Sequence, residues 1–295
     1  MLQLLETFCA VAQMGSLTRG AEYLGLTQPA VTRQLRALER QLGVILVTRT
    51  PRGIALTPVG EAMLPHARQV LAAVRACQQV AAEASGKHAA RLRVSAGLMA
   101  TLYVLPPVVA RFRALHPEVE VDLQPVHQQV ALDRLLGYQV DAAVIASPVH
   151  SPQVRAVPVL DDPLLVVVGP GSELTPVRLT ELQDKTVLVL ASGTGLHEQI
   201  DAALRNHGVA CHLVEYPNAE TIKSAVALGM GISILPASAV QEELRTGVLA
   251  VRHIADWSGA SRVIHILLRA EGRPPPPVTA FVTLLRDFYR SPVAT

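Results

Sequence analysis

Cysteine, lysine and asparagine are scarce in this sequence, and long apolar runs are missing. Its three cysteines (Cys9, Cys77 and Cys211) are scattered through 295 residues. They make neither a disulfide framework nor a Cys-x-x-Cys metal motif. No stretch approaches the roughly 18 uninterrupted apolar residues that a membrane-spanning helix needs. The first fifteen residues carry Glu6 and no Lys or Arg, which does not fit a secretory signal. The expectation is a soluble, reduced, cytoplasmic protein with no membrane partner. The 10 histidines are dispersed without a His-x-x-x-His pair, so no metal site or other cofactor is expected. Ser192 lacks the frame of a nucleophile elbow, and no catalytic residue is assigned.

What is present points to more than one domain. Chains of 295 residues exceed the usual 100–200 of a single domain, and 50% hydrophobic against 17% charged residues allows large cores. The formal net charge of +2 hides an asymmetry. Residues 1–60 hold six Arg (19, 33, 36, 40, 49, 52) against three Glu (6, 22, 39), a net of +3. That leaves 20 of the 26 basic and 21 of the 24 acidic residues for the rest, a net of −1. The positive charge gathers at the N-terminus, which points to an anionic partner there.

The N-terminal region, residues 1–57, reads as short helices. Leu5, Phe8, Val11 and Ala12 line one face of a first helix ended by Gly15. Ser16 caps a second, carrying Leu17, Ala21 and Leu24 and closed by Gly25. Thr27 caps a third, with Pro29 in its first turn and Val31, Leu35, Leu38 and Leu42 as its apolar positions, up to Gly43. Two helices joined by a short Gly-containing turn form a helix-turn-helix. Val44–Val47 and Ile54–Leu56 flank a Pro/Gly turn, so a hairpin follows as a wing. Thr57-Pro58 then opens a long helix, residues 58–87. Its seam Met63, Ala67, Val70, Val74, Cys77, Ala81 follows a 4,3,4,3,4 spacing that suits dimerisation, against the alternative of packing on its own domain.

From residue 91 strands and helices alternate, which argues for parallel sheets covered on both faces. About 200 residues of this pattern exceed one compact sheet. We read an effector-binding domain of residues 91–295 in two α/β subdomains, 91–160 with 266–295, and 161–265, with crossings near Asp161 and His265.

With Val31, Leu35 and Leu38 turned inward, the third helix presents Gln28, Pro29, Thr32, Arg33 and Arg36. Arg pairs bidentately with guanine and Gln with adenine, while Thr and Pro pack against a thymine methyl. Recognition helices use N-terminal residues of this kind on base edges. Ser16 and Thr27 at the helix starts, and Arg49 and Arg52 on the wing, complete the expected DNA contacts. A merely solvated basic face is the bland alternative.

Phe8-x-x-Val11-Ala12-x-x-Gly15-Ser16-Leu17-Thr18, Ala21-Glu22-x-Leu24-x-x-Thr27 through Leu35, Leu38-Glu39-x-x-Leu42-Gly43, and Leu56-Thr57-Pro58-x-Gly60 stand in register over sixty positions. Together they resemble the LysR-type transcriptional regulators. Glu220-Thr221-Ile222 and the run from Val226 to Pro236 resemble the family's second regulatory subdomain. The resemblance implies a winged helix-turn-helix, a dimerising linker helix, and an effector domain built like a periplasmic binding protein, usually in a tetramer. Gly20 stands where the family commonly has Ala, Thr32 where Ser is usual, and Val47 where Phe is frequent.

In open α/β sheets ligands bind beyond the C-terminal ends of strands, where helix N-termini offer N–H groups. By resemblance the turn Gly97-Leu98-Met99-Ala100-Thr101 holds the effector's polar contacts, with Met99 where a hydroxyl is common. Gln128, Ser147, Asn218 and the loop Ser192-Gly193-Thr194 are further candidates. The loop's Gly-x-Gly lacks the rest of a nucleotide motif and suits a small-anion cleft better.

The expected function is a ligand-responsive, sequence-specific regulator that binds double-stranded DNA at interrupted palindromes. Its partners would be a small, anionic effector and a second copy through the linker helix, and two dimers would form a tetramer. The rival is a small-molecule binding protein or enzyme of the same α/β architecture, with the N-terminal region serving assembly.

Overall fold

The computed structural model describes residues 1–50, 53–84, 90–146, 149, 151–172 and 178–290. Three helices open it: α1 (Leu2–Met14), α2 (Leu17–Leu24) and α3 (Gln28–Leu42). Each ends on a left-handed glycine: Gly15, Gly25 and Gly43, with φ of 60, 64 and 70°. Ser16 caps α2, its hydroxyl accepting from the Arg19 N–H at 3.4 Å. Thr27 occupies the N-cap of α3 but makes no side-chain capping bond. Its backbone carbonyl accepts from the Ala30 and Val31 N–H groups at 3.0 and 3.1 Å, and its side chain stays exposed. Phe8, Val11, Val31, Leu38 and Leu46 are fully buried at the centre of this head. Leu42, expected inside, lies on the last turn of α3 and is exposed. A Cβ on Gly20 would stand 3.2 Å from Val11 Cγ2, so this glycine sets a close approach of α2 to α1.

The wing is the antiparallel pair β1 (Val47–Thr50) and β2 (Gly53–Leu56). Its first strand starts at Val47 and not at Val44, because Glu39 of α3 takes the backbone N–H groups of Leu46 and Val47 at 2.9 and 3.3 Å. Gly53 anchors the second strand: the Ile54 N–H donates to Gly15 O at 3.0 Å, and a Cβ on Gly53 would stand 2.5 Å from that oxygen.

Helix α4 (Pro58–Ala84) is capped by Thr57, whose hydroxyl accepts from the Gly60 N–H at 3.0 Å and donates to Ile45 O at 2.8 Å. Pro65, which the sequence reading passes over, lies inside the helix and removes one i→i−4 bond without ending it. The seam divides. Met63 and Ala67, with Leu64 and Leu71, pack into the head's own core. Val70, Cys77 and Ala81 stay exposed.

The remainder is α/β. Its strands are β3 (Ala90–Ala96), β4 (Val119–Pro125), β5 (Ala142–Ile145), β6 (Val154–Val168), β7 (Thr186–Leu190), β8 (His212–Tyr216), β9 (Ile232–Pro236), β10 (Ala250–Arg252) and β11 (Ser261–Arg269). The helices are α5 (Leu105–Leu115), α6 (Gln128–Leu136), α7 (Gly195–Asn206), α8 (Ala219–Ala227), α9 (Gln241–Thr246) and α10 (Pro276–Arg290). A π-helical turn, Ala100–Val104, leads into α5. The sheet order is β4-β3-β5-β11-β6-β9-β7-β8, with β10 beside β6.

Strand β6 belongs to two lobes. Its residues up to Pro163 pair with β11, and those from Leu164 pair with β9. Each lobe has its own core: Leu92, Val94, Phe112, Ile266 and Phe281 in the first, Val166, Leu188, Ile200, Ile222 and Ile234 in the second. The apolar run Leu164–Val168 marks only the second half of β6 in the sequence; the first half is mostly exposed or half-buried and carries Pro158 and Pro163.

Candidate functional site

The first candidate site is a face of α3. Val31, Leu35 and Leu38 are buried to 0, 4 and 0% exposure. The helical repeat therefore turns Gln28, Pro29, Arg33 and Arg36 outward, and all four are exposed together with Thr27. Thr32 is half-buried on the same stripe. Its hydroxyl donates to Gln28 O at 3.0 Å and accepts from Gln28 Nε2 at 3.3 Å, which holds the Gln28 amide along the helix. Ser16 is half-buried and serves as a cap. Arg49 lies in β1, and Arg52 falls outside the described residues. Sequence reasoning missed Arg40, exposed in the last turn of α3 and one turn beyond Arg36. It also missed Glu39, whose carboxylate accepts from the Leu46 and Val47 N–H groups and so ties the wing to α3; nothing local in the sequence marks that contact.

The second is a cleft of about 470 Å³ between the lobes. It lies beyond the C-terminal ends of β3, β4, β5, β7 and β8, where such sheets place ligands. Of the residues expected there, Met99, Ala100, Gln128, Thr194 and Asn218 line it. Met99 also packs against the core of the second lobe. Thr101 does not line it; its hydroxyl donates back to Gly97 O at 3.1 Å. Ser192 and Gly193 are exposed outside the lining, and Ser147 falls outside the described residues. Thr194 and Asn218 use acceptor oxygens to cap α7 and α8, at 3.3 Å from the His197 N–H and 2.9 Å from the Thr221 N–H. The rest of the wall is chiefly apolar, with Leu98, Leu102, Val126 and Leu196.

Two family models cover nearly the whole chain. The bacterial regulatory helix-turn-helix protein, lysR family, matches residues 2–61, and the LysR substrate binding domain matches residues 85–290. The chain belongs to the LysR family of transcriptional regulators. The uncharacterized HTH-type transcriptional regulator YeiE of Escherichia coli K12 is 32% identical over 84% of this chain and 85% of its own. The HTH-type transcriptional regulator CbbR of Rhodospirillum rubrum is 31% identical over 98% and 97%. A full-length OxyR point variant from Pseudomonas aeruginosa superposes with a TM-score of 0.74 at 28% identity, covering 99% of this chain and 95% of that one. CbnR complexed with its target DNA shares the fold, with a TM-score of 0.64 at 23% identity over 97% and 99%.

In this LysR-family chain two polar contacts span the cleft that the sequence did not reveal. His127 Nε2 lies 3.0 Å from Gly193 O. On the other side the Tyr103 hydroxyl donates to Glu220 Oε1 at 2.6 Å. Behind Glu220, Lys223 is buried. Its ammonium lies 2.8 Å from Glu220, 2.7 Å from Glu243 and 3.0 Å from Ala239 O, with the Tyr103 ring 5.0 Å away. Burial, then the Glu220 hydrogen bond, holds the Tyr103 phenol far above its ordinary range. Burial alone would raise the Glu220 carboxyl, but hydrogen bonds from Lys223 and Tyr103 outweigh it and leave it lowered.

Proposed function

We propose that this chain is a sequence-specific transcriptional regulator acting in the cytoplasm, with no enzymatic activity of its own. Its α3 stripe, Gln28 to Arg36 with Thr27, enters the major groove, and Arg49 and Arg52 of the wing meet phosphates or the minor groove. The observation that carries this reading is the division of α3 into a buried face and an exposed basic stripe. A purely structural helix has no need of three outward arginines on one stripe. Dimerisation through the exposed half of α4, and pairing of dimers into tetramers, places heads on successive grooves of an interrupted palindrome. The heptad spacing of α4 and the exposure of Val70, Cys77 and Ala81 support the dimer.

Met99, Ala100, Gln128, Thr194 and Asn218 shape the effector site, with Ser192 and Gly193 beside Thr194; Ser147 remains a candidate contact from the sequence alone. A ligand that favours one relation of the lobes shifts the assembly, with coupling of about 1–3 kcal/mol. The test is a gel shift against the upstream DNA of the chain's own coding region, with wild type and Arg33→Ala. Loss of about 1–3 kcal/mol confined to one base position is expected. An equal loss on every sequence would demote Arg33 to a phosphate contact.

A further inference from the structure

Arg262, the second residue of β11, lines the cleft. Among the described lining residues it is the one Arg, and there is no Lys, Asp or Glu. Its cross-strand neighbour in β6 is Asp162, which is 3% exposed. That carboxylate is already engaged. Its two oxygens accept from the Ser238 backbone N–H at 2.9 Å and the Ser238 hydroxyl at 2.6 Å. Asp162 acts on Arg262 as a nearby charge and not as a hydrogen-bond acceptor. Burial pushes the guanidinium below its ordinary value, and Asp162 opposes this.

A guanidinium offers five N–H donors and has no other protonation state at ordinary pH. Half-buried beside an apolar wall, it needs acceptors that the described protein does not supply. The rest of the cleft has no second cationic side chain. His127 Nε2 is turned to Gly193 O, and the acceptors of Thr194 and Asn218 cap helices. What remains is the Gln128 amide, the Asn218 Nδ2 donors and the backbone N–H groups at the starts of α6, α7 and α8, which carry only partial charge. A second full negative charge on a ligand would find no second Arg or Lys among the described lining residues, where Leu98, Met99, Leu102, Val126 and Leu196 make most of the wall.

We propose that the effector is a small monocarboxylate with a hydrocarbon or aromatic body. Its carboxylate accepts two hydrogen bonds from Arg262, and its body fills the apolar part of the cleft. This rests on the effector-cleft reading above and narrows it to one charge on a greasy frame, excluding polyphosphates, sugar phosphates and polycarboxylates. Bidentate Arg–carboxylate pairing supplies direction, and apolar burial supplies chain-length preference.

Calorimetric titration of the full-length chain tests this, using acetate through octanoate, benzoate and phenylacetate, their amides, inorganic phosphate and citrate. Affinity should rise roughly fourfold per added methylene until the cleft is full. The amides should bind at least tenfold more weakly. Arg262→Gln should weaken carboxylates about 10–100-fold and leave amides unaffected, the range expected for hydrogen bonds to a charged group. Should Arg262→Gln not fold, Arg262→Lys and the carboxylate–amide contrast in wild type decide the matter.

Citrate or phosphate binding more tightly than every monocarboxylate overturns the proposal. So do equal affinity for acids and amides, insensitivity to Arg262 replacement, and silence of every monocarboxylate at millimolar concentration. Ala146→Trp, which fills the cleft, separates this from failure of the effector-cleft reading. A polyanion or amide whose binding Ala146→Trp abolishes leaves the cleft standing and removes only the monocarboxylate. Binding indifferent to Ala146→Trp removes the cleft.

Discussion

Replacing Lys223 by Met keeps a buried stem of similar length and deletes the charge. The ammonium's three donors have three acceptors, Glu220, Glu243 and the Ala239 carbonyl, so the loss touches each. The partners do not weigh equally. Glu220 has a side chain 61% exposed, and its ion pair belongs with surface pairs worth about 0–1 kcal/mol. Glu243 is 19% exposed, and its Oε2 is buried without a hydrogen-bond partner even before the change. Removing one member of such a pair costs about 3–5 kcal/mol, because the other charge is left behind in a poor environment. The Glu243 contribution therefore decides the outcome. At about 2–4 °C per kcal/mol for a unit of some 200 residues, Lys223→Met should lower the melting point of the sensor by about 6–20 °C. Lys223→Met with Glu243→Gln should recover most of the loss. Guanidinium titrations of the single and double variants measure this. A deficit below about 1 kcal/mol, or no recovery in the double variant, would refute the reasoning.

Gly60→Ala places a Cβ 2.1 Å from the Leu46 carbonyl oxygen, so the wing must move from α4. The head should lose about 1–3 kcal/mol of stability and most of its DNA affinity in a gel shift, while ligand binding by the sensor persists. Glu39→Ala leaves two backbone N–H groups of the wing without their acceptor, and stability should fall by about 1–3 kcal/mol on urea unfolding. Its effect on DNA affinity should exceed that of Glu39→Gln, which keeps an acceptor oxygen. Acid should weaken the Tyr103–Glu220 contact. The Glu220 carboxyl is lowered on folding, so its contribution is present above its unfolded value near 4.3 and is lost as pH falls through the lower folded value. Thermal melts between pH 5 and 3 should show a slope that Glu220→Gln flattens.

The head was legible because its signals are local. Glycines follow helices at Gly15, Gly25 and Gly43, Ser16 precedes one, and the apolar spacing of α3 survives as Val31, Leu35 and Leu38 buried together. Errors arose where a distant group intervened. Glu39 delays the first wing strand by taking its N–H groups, and the Thr57–Gly60 corner lets α4 fold back so that half of its seam enters the head's core. In the sensor, the apolar runs of β7 and β9 announce themselves, but the first half of β6 hides behind two prolines and mostly exposed or half-buried positions. Arg262 was passed over because it precedes the apolar run of β11, and nothing local marks Asp162 as its neighbour. Tyr103 and Glu220 stand 117 residues apart, and no single-sequence pattern joins them. Glycines and helix starts located the cleft, but the groups that give it charge come from the strands that cross between lobes.

The central claim is that the α3 stripe reads DNA in register with a second copy. Its most direct test is a quantitative footprint on an interrupted palindrome from the chain's own upstream region, across a salt series, with wild type, Arg33→Ala and Arg36→Ala. The account predicts protection of two half-sites about one helical turn apart, affinity falling steeply with salt, and loss of sequence preference at a defined base pair in one variant. Protection of a single half-site, or weakening by the same factor on every sequence in both variants, would contradict it.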